Sequence, residues 1–209
     1  MKKLTTTSYA ILGLLAVRPW SGYELSQQMR RNVGEFWPRA ERGLYDEPKN
    51  LVAHGFASAS HESQGRRART VYTITPAGRR ALRAWLAERG STRPQFESEA
   101  VLRIAFAEHG RAEDALATLA ELQDQVRELS RSAAEISRTY VDGRGLYPER
   151  VHTISLVLRF FADYFAVIDS WAAWAREQIV AWGDISRPPA DSGPMDTLAE
   201  ITALRPVRP

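Results

Sequence analysis

The chain has 209 residues, which is room for one large domain or two small ones, since most domains contain about 100 to 200 residues. We expect two. Hydrophobic residues make up 44% and charged residues 25% of the chain, proportions that exclude a disordered or collagen-like protein. The sequence contains no cysteine, which excludes disulfides, thiolate nucleophiles and cysteine-ligated metals. No uninterrupted apolar run reaches the length of a membrane span, so we expect a cytoplasmic protein with no membrane partner.

The charges are divided unevenly between the two halves of the chain. Residues 1–92 hold 15 Lys and Arg against 7 Asp and Glu, a net charge of +8, and the remaining residues hold 13 against 18, a net charge of −5. A basic half joined to an acidic half suggests that the first presents a surface to a polyanion and that the second has a different role. The alternative is an ordinary solvated charged surface.

The first half begins with signals for three helices. Residues 5–7 are threonines that cap a first helix, and Arg18-Pro19 ends it because the residue before a proline avoids the α conformation. After a tight connection, Ser21 caps a second helix that ends near residues 32–34. A third helical segment covers residues 40–54 and is closed by Gly55.

A hairpin follows these helices. Residues 57–61 and 70–74 have the composition and alternation of strands, and a basic tip lies between them. Thr75 and Pro76 then start a fourth helix that ends near Gly90. Three helices, a two-stranded hairpin and one further helix form the layout of a winged helix-turn-helix, in which the third helix enters a DNA major groove.

The second half reads as helix throughout, with segments at 98–108, 112–140 and 148–182. Apolar residues alternate by threes and fours in the second segment, at Ala115, Leu119, Leu122, Val126, Leu129, Ala133, Ile136 and Tyr140. The third segment repeats this pattern and would be about 52 Å long, more than the core of such a domain needs. Because a neighbouring stripe is also apolar, we expect one face to pack on the preceding helix and another on a second chain. A bundle formed within one chain is the alternative.

Five prolines follow Gly183, so we expect a largely disordered tail with a short helix near residues 195–204. The sequence therefore predicts a mainly α fold with three parts. A winged helix-turn-helix DNA-binding domain covers residues 1–92, a helical dimerisation and possible effector domain with long coiled-coil-like helices covers 93–183, and a Pro-rich tail covers 184–209.

Four motifs in this order resemble the PadR family of transcriptional regulators. They are YAILGLL at 9–15, SGYEL at 21–25, LY at 44–45 and VYTITPAGR at 71–79. The resemblance covers about residues 4 to 90, and beyond residue 95 it extends to architecture alone. It implies repression by a dimer that a ligand relieves. Many relatives place proline directly after Leu-Tyr, whereas this chain has Asp46-Glu47-Pro48, so the third helix proper could begin at Asp46.

Candidate DNA-contacting residues lie in three places. The third helix region carries Arg39, Arg42, Tyr45, Lys49 and Asn50, and arginine and asparagine are side chains that read guanine and adenine edges. The hairpin tip carries Arg66, Arg67 and Arg69, suited to phosphate or a narrow minor groove. Tyr23, near the start of the second helix, suits a phosphate contact. The respective alternatives are a solvated helix surface, a flexible solubilising loop and a core tyrosine.

Aromatic residues concentrate on the last long helix. Phe160, Tyr164, Trp171 and Trp174 are the candidate lining of a site for a flat hydrophobic effector, with ordinary core packing as the alternative. The candidate dimer seam consists of Leu158, Phe161, Phe165, Ile168, Ile179 and Trp182.

The sequence contains no nucleophile elbow, phosphate-binding loop or dinucleotide fingerprint, and its four histidines are far apart. We therefore expect no enzyme activity, cofactor or metal. The leading hypothesis is a homodimeric repressor of the PadR type that binds double-stranded operator DNA and responds to a hydrophobic or aromatic small molecule. The alternative is a protein-interaction or ligand-sensing module whose winged domain no longer binds DNA.

Overall fold

A computed structural model describes residues 4–32, 45–64, 67–89, 94–187 and 193–203. The chain divides into two compact units, Met1–Arg93 and Pro94–Pro209. Each unit is described by itself.

The described part of unit 1 contains four helices and three strands. The helices are α1 (Thr6–Val17), α2 (Gly22–Asn32), α3 (Glu47–Ala53) and α4 (Pro76–Ala87), and the strands are β1 (Trp20–Ser21), β2 (Ala57–Gln64) and β3 (Arg67–Ile74). The helix boundaries follow local signals: the Thr5 side chain accepts from the Ser8 amide, and Thr75 accepts from the Gly78 amide. The expected order of three helices, a hairpin and a helix is confirmed.

The sheet is antiparallel with the order β1-β3-β2. The hairpin register pairs Ala57 with Ile74 at its base and Gln64 with Arg67 at the tip. The sequence predicted only these two strands. The third, β1, is a two-residue strand in which Trp20 pairs with Tyr72, so it depends on a distant partner that local sequence does not reveal.

The core of unit 1 lies between the helices and the sheet. Its buried apolar residues are Ile11, Leu12, Leu15, Trp20, Leu25, Met29, Leu51, Ala57, Val71, Tyr72 and Ile74. Trp20 is almost fully buried, and its indole Nε1 donates a 2.8 Å hydrogen bond to the Leu14 carbonyl, which satisfies its polar group. On the side of α1 that faces α4, the Tyr9 ring stacks on Trp85 with 4.8 Å between centroids. These contacts fix α1 as the central helix of the unit.

The described part of unit 2 is entirely helical. Its elements are α5 (Glu99–Ile104), a 3-10 turn (Ala107–His109), α6 (Ala112–Val141), a second 3-10 turn (Pro148–Arg150), α7 (Val151–Trp182) and α8 (Pro194–Ala203). One cluster of buried residues joins the start of α6 to the end of α7, so the two long helices form an antiparallel hairpin; its members are Ala115, Leu119, Ala172, Ala175, Ile179 and Ile185. The helices at 112–140 and 148–182 are therefore confirmed.

A buried polar side chain lies between α6 and α7 within the chain. Gln123 is 4% exposed. Its amide nitrogen donates to the backbone oxygen and the carboxylate of Asp169, at 3.3 and 3.2 Å, and its amide oxygen accepts from the Arg176 guanidinium at 3.2 Å. Arg127 pairs with the same Asp169 carboxylate at 3.0 Å. The apolar heptad pattern did not include Gln123.

Two predicted helices are shorter than expected. The segment at 40–54 gives helix only over Glu47–Ala53 within the described residues, with Asp46 as its N-cap; residues 40–44 lie outside the described ranges. Pro48 near the helix start explains this boundary, since its missing amide hydrogen is tolerated only in the first turn. The segment at 98–108 ends as α5 at Ile104 and continues as a 3-10 turn.

Among the described residues, one helix is long and apolar enough to cross a membrane. It covers residues 148–182, and its mean hydropathy reaches 1.5 over an 18-residue window. This is weak evidence for a membrane span, because the long helix of a soluble protein passes the same test.

Candidate nucleic-acid interface

The start of α2 is held by a reciprocal cap. The Ser21 amide donates to the Glu24 carboxylate at 2.8 Å, and the Glu24 amide donates to the Ser21 hydroxyl at 3.3 Å. Burial by itself raises the pKa of Glu24, but hydrogen bonds from Ser21 and Arg18 outweigh it and lower the pKa below its ordinary value. The guanidinium of Arg18 also lies over the Trp20 ring, 3.4 Å from its centroid. The turn between α1 and α2 is therefore rigidly defined.

Tyr23 lies in the first turn of α2 and is 69% exposed, so the alternative of a core tyrosine does not describe its position. Its hydroxyl accepts a 2.6 Å hydrogen bond from the Gln27 amide. Because a phenol is both donor and acceptor, this contact orients the hydroxyl and leaves its own hydrogen free to donate. The geometry suits a contact to a phosphate oxygen.

The N-terminal turn of α3 is tied to α1. The Ser8 hydroxyl donates a short hydrogen bond to one Glu47 carboxylate oxygen, and the Asn50 amide donates to the other at 3.2 Å. Pro48 and Leu51 are buried on the same helix. A seven-residue helix is too short to be stable by itself, so these contacts determine where α3 lies.

Other predicted residues lie on α3 or in the turn that precedes it. Tyr45 is 68% exposed. Lys49 is exposed and pairs with Asp46 at 3.1 Å, an ion pair that contributes little stability and that a phosphate can displace. Asn50 is instead engaged with Glu47. Arg39 and Arg42 lie outside the described residues.

The wing is the β2–β3 hairpin. Arg69 lies opposite Glu62 in the register, and their side chains pair at 3.0 Å. The Arg69 Nε atom is buried and has no hydrogen-bond partner among the residues that the structure describes. Arg66 lies outside those residues, as does the side chain of Arg67. Of the three arginines predicted at the basic tip, the structure therefore describes the side chain of Arg69, which is paired with Glu62 on the neighbouring strand.

A second basic surface was missed by the sequence reasoning. Arg79, Arg80 and Arg83 lie on the exposed side of α4, and none of their three side chains has an ion pair or hydrogen bond within the described ranges. The signal was present in the sequence, because residues 76–87 contain three arginines and no acidic residue.

The four candidate effector residues do not form one group. Phe160 and Tyr164 stack at 6.0 Å, and Phe96 meets Tyr164 edge-on at 6.3 Å. Burial raises the pKa of Tyr164. Trp171 packs against the buried cluster that joins α6 to α7, and Trp174 is 43% exposed.

The candidate seam residues lie toward α6 of the same chain. Phe165 and Ile179 are buried, and the remaining four are half-buried: Leu158, Phe161, Ile168 and Trp182. The neighbouring stripe of α7 is exposed instead, at Val157, Phe160, Val167 and Trp174. The geometry therefore offers this second stripe to a partner.

Comparison with known proteins finds a family match within unit 1. Residues 11–84 match the transcriptional regulator PadR-like family. The chain is 31% identical over 99 residues to the negative transcriptional regulator PadR of Bacillus subtilis, a match that covers 47% of this chain. It spans 54% of that relative, so the sequence match extends over about half of the relative's length.

Solved structures extend the likeness to the fold of most of the chain. Bacillus subtilis PadR in complex with operator DNA has a TM-score of 0.67 at 23% identity, with 84% of this chain and 99% of that chain covered. The same protein in complex with p-coumaric acid has a TM-score of 0.64 at 21% identity, with the same coverage. These likenesses show a shared fold, a winged helix-turn-helix followed by long helices. Over residues 11–84, the chain is therefore similar to the transcriptional regulator PadR-like family.

Proposed function

We propose that this protein is a sequence-specific DNA-binding transcriptional regulator, a homodimeric repressor of the PadR type whose DNA binding a small molecule modulates. Its regulatory class is supported by the family match and by the relative named as a negative transcriptional regulator. A cytoplasmic location and the absence of enzyme activity go with this proposal.

One observation carries the proposal. The contacts that hold the helix-turn-helix together face the core of unit 1, whereas polar side chains of the kind that contact DNA are exposed to solvent. Glu47, Ser8 and Asn50 hold α3 in place. Tyr23 and Lys49 remain exposed beside it. Because phosphate contacts position a protein on DNA and base contacts specify the sequence, we assign Tyr23 to phosphate and leave Tyr45, Lys49, Arg39 and Arg42 as candidates for both. Asn50 can contact a base only if its hydrogen bond to Glu47 is broken.

We propose that the wing contacts the phosphates of the DNA backbone. Arg66, Arg67 and Arg69 are its cations, and each phosphate contact releases counterions, which makes binding strongly salt-dependent. Binding requires Arg69 to exchange Glu62 for a phosphate. This exposed pair contributes little to stability, so the exchange is energetically easy.

The experiment measures fluorescence anisotropy with duplex DNA from the promoter beside the protein's own gene. We expect binding that weakens steeply with salt. A dimer of the triple variant Arg66→Ala, Arg67→Ala, Arg69→Ala lacks six wing arginines, so the salt slope should fall by about 5, and binding to all DNA sequences should weaken by the same factor. The control is Arg144→Ala, which removes an exposed arginine from unit 2 and should leave affinity unchanged. Equal affinity of the triple variant and the wild type would remove the wing from the proposal.

For the homodimer, we place the seam on the exposed stripe of α7. Val157, Phe160 and Val167 are apolar and each is about half or more exposed, and exposed contiguous apolar surface marks an interaction site. The change Val167→Asp should convert dimers to folded monomers in light scattering, because a charge buried at a seam is costly. The control Glu177→Gln alters an exposed α7 residue and should leave the mass unchanged.

For the effector, we propose an aromatic or hydrophobic small molecule, as supported by the PadR structure that holds p-coumaric acid. Phe160 and Tyr164 are the first residues to probe because they share one aromatic cluster; Trp171 and Trp174 follow as a separate pair. Titration of a phenolic acid into the DNA complex, with release measured by anisotropy, tests the response. If no DNA fragment is bound and a second protein is captured through α7, the interaction-module alternative replaces the regulator.

A further inference from the structure

Unit 2 contains an open apolar groove between α5, the following 3-10 turn and α6. Its volume is about 380 Å³, and its apolar lining includes Leu102, Phe106, Ala107 and Ala115. Leu102 and Phe106 are more than half exposed. The groove lies on a different part of unit 2 from the α7 stripe proposed for the dimer.

The C-terminal helix α8 has an apolar side that lies exposed in the same way. Met195, Leu198 and Ile201 follow one another at intervals of three residues, and each is more than half exposed. At 100° per residue, Asp196 and Glu200 lie on the opposite side. Ten residues are too few for a stable isolated helix, and no residue of α8 is buried. The helix therefore requires a surface that receives its apolar side.

The connection after α7 is long enough for this helix to reach the groove. After α7, Ile185 packs in the cluster that contains Ala115, and Ala115 also lines the groove. Six peptide steps separate Arg187 from Gly193, and they span at most about 20 Å. A ten-residue helix is about 15 Å long, so α8 can reach the groove of its own chain.

We propose that α8 docks with its apolar side in the α5–α6 groove of its own chain and acts as a tethered lid. This is the helix-in-groove mode, in which apolar residues about one turn apart act as anchors. A short tether gives the docking partner an effective concentration in the millimolar range, which favours the chain's own helix over that of a second copy. The docked helix covers Leu102 and Phe106 and turns Asp196 and Glu200 to solvent, so any other ligand of the groove must displace it. The proposal does not depend on DNA binding.

The absence of cysteine in the chain makes disulfide trapping the direct test. The pair Thr118→Cys and Leu198→Cys places one thiol on the groove lining and one at the centre of the apolar side of α8. Under mild oxidation at micromolar protein, we expect a disulfide within the chain, seen as faster migration on a non-reducing gel and identified by peptide mass spectrometry. A second pair, Ala107→Cys and Ile201→Cys, repeats the test if the first pair perturbs the helical circular dichroism.

The control pair is Glu135→Cys and Leu198→Cys, because Glu135 lies on α6 about 25 Å beyond Thr118. We expect the groove pairs to form disulfides at least about tenfold faster than the control pair, as an effective concentration set by docking requires. Adding Ile201→Asp to the first pair should slow the reaction to the control rate, whereas adding Asp196→Asn on the solvent side should not. Equal rates for groove and control pairs overturn the docking. A disulfide between two chains as the main product overturns the choice of the chain's own helix.

Discussion

Replacing Gln123 with alanine tests the assembly of the α6–α7 hairpin. The amide of Gln123 makes three hydrogen bonds across the seam, two to Asp169 and one from Arg176, between 3.2 and 3.3 Å. Hydrogen bonds of this length lie at the weak end of the usual net range of about 0.5–1.5 kcal/mol each. Loss of the Cγ methylene adds about 0.8 kcal/mol. Since water can reach the partly exposed Arg176 and Asp169, we expect a net loss of about 2–3 kcal/mol in the free energy of unfolding.

The assay is urea unfolding of the full-length protein followed by far-ultraviolet circular dichroism, which reports the long helices. Gln125→Ala is the matched control, because Gln125 lies two residues further along α6, is exposed and bonds only to Glu121 among the described residues. Its effect should remain within about 0.5 kcal/mol. The variant Gln123→Leu keeps the volume and removes the bonds, so it should be closer to the wild type than Gln123→Ala. Equal effects of Gln123→Ala and Gln125→Ala would refute the structural role of the seam amide.

Three further predictions concern unit 1. Gly78→Ala should prevent stable folding of the wing base, seen as loss of the cooperative thermal transition, because an added Cβ would lie 2.1 Å from the Phe56 carbonyl oxygen. Gly13→Ala, in the interior of α1 with no atom within 4 Å of the added Cβ, should instead raise the free energy of unfolding by about 0.5–1 kcal/mol. Because the folded-state pKa of Glu24 lies below its ordinary value of 4.5, its contribution to stability is present above that pH and is lost as the pH falls through the folded-state pKa. The stability difference between wild type and Glu24→Gln should therefore be larger at pH 7 than at pH 3 in urea titrations, and a difference that does not change with pH would contradict the assigned role of the Ser21 cap.

Local signals predicted most helix boundaries of the fold. The caps at Thr5 and Thr75 act within three residues of themselves, so the sequence alone identifies them. The alternation of apolar residues was sufficient for α6 and α7, because each is long enough for the period to be unambiguous.

Features that depend on distant contacts could not be predicted in this way. Strand β1 exists because Trp20 meets Tyr72, about fifty residues away. Gln123 is polar and breaks the apolar pattern, yet it is buried because Asp169 and Arg176 satisfy it. The same reason applies to Glu47, whose carboxylate is bound by Ser8 on the distant helix α1.

The hydrogen bond between Ser8 and Glu47 lets one side of the short helix α3 anchor it to the domain while the other side stays exposed. The residues that anchor α3 point toward α1, and Tyr45 and Lys49 point away from it. Substitutions at these two outward positions leave the anchor untouched, so the surface that α3 presents to a partner can change without loss of the contacts that fold it.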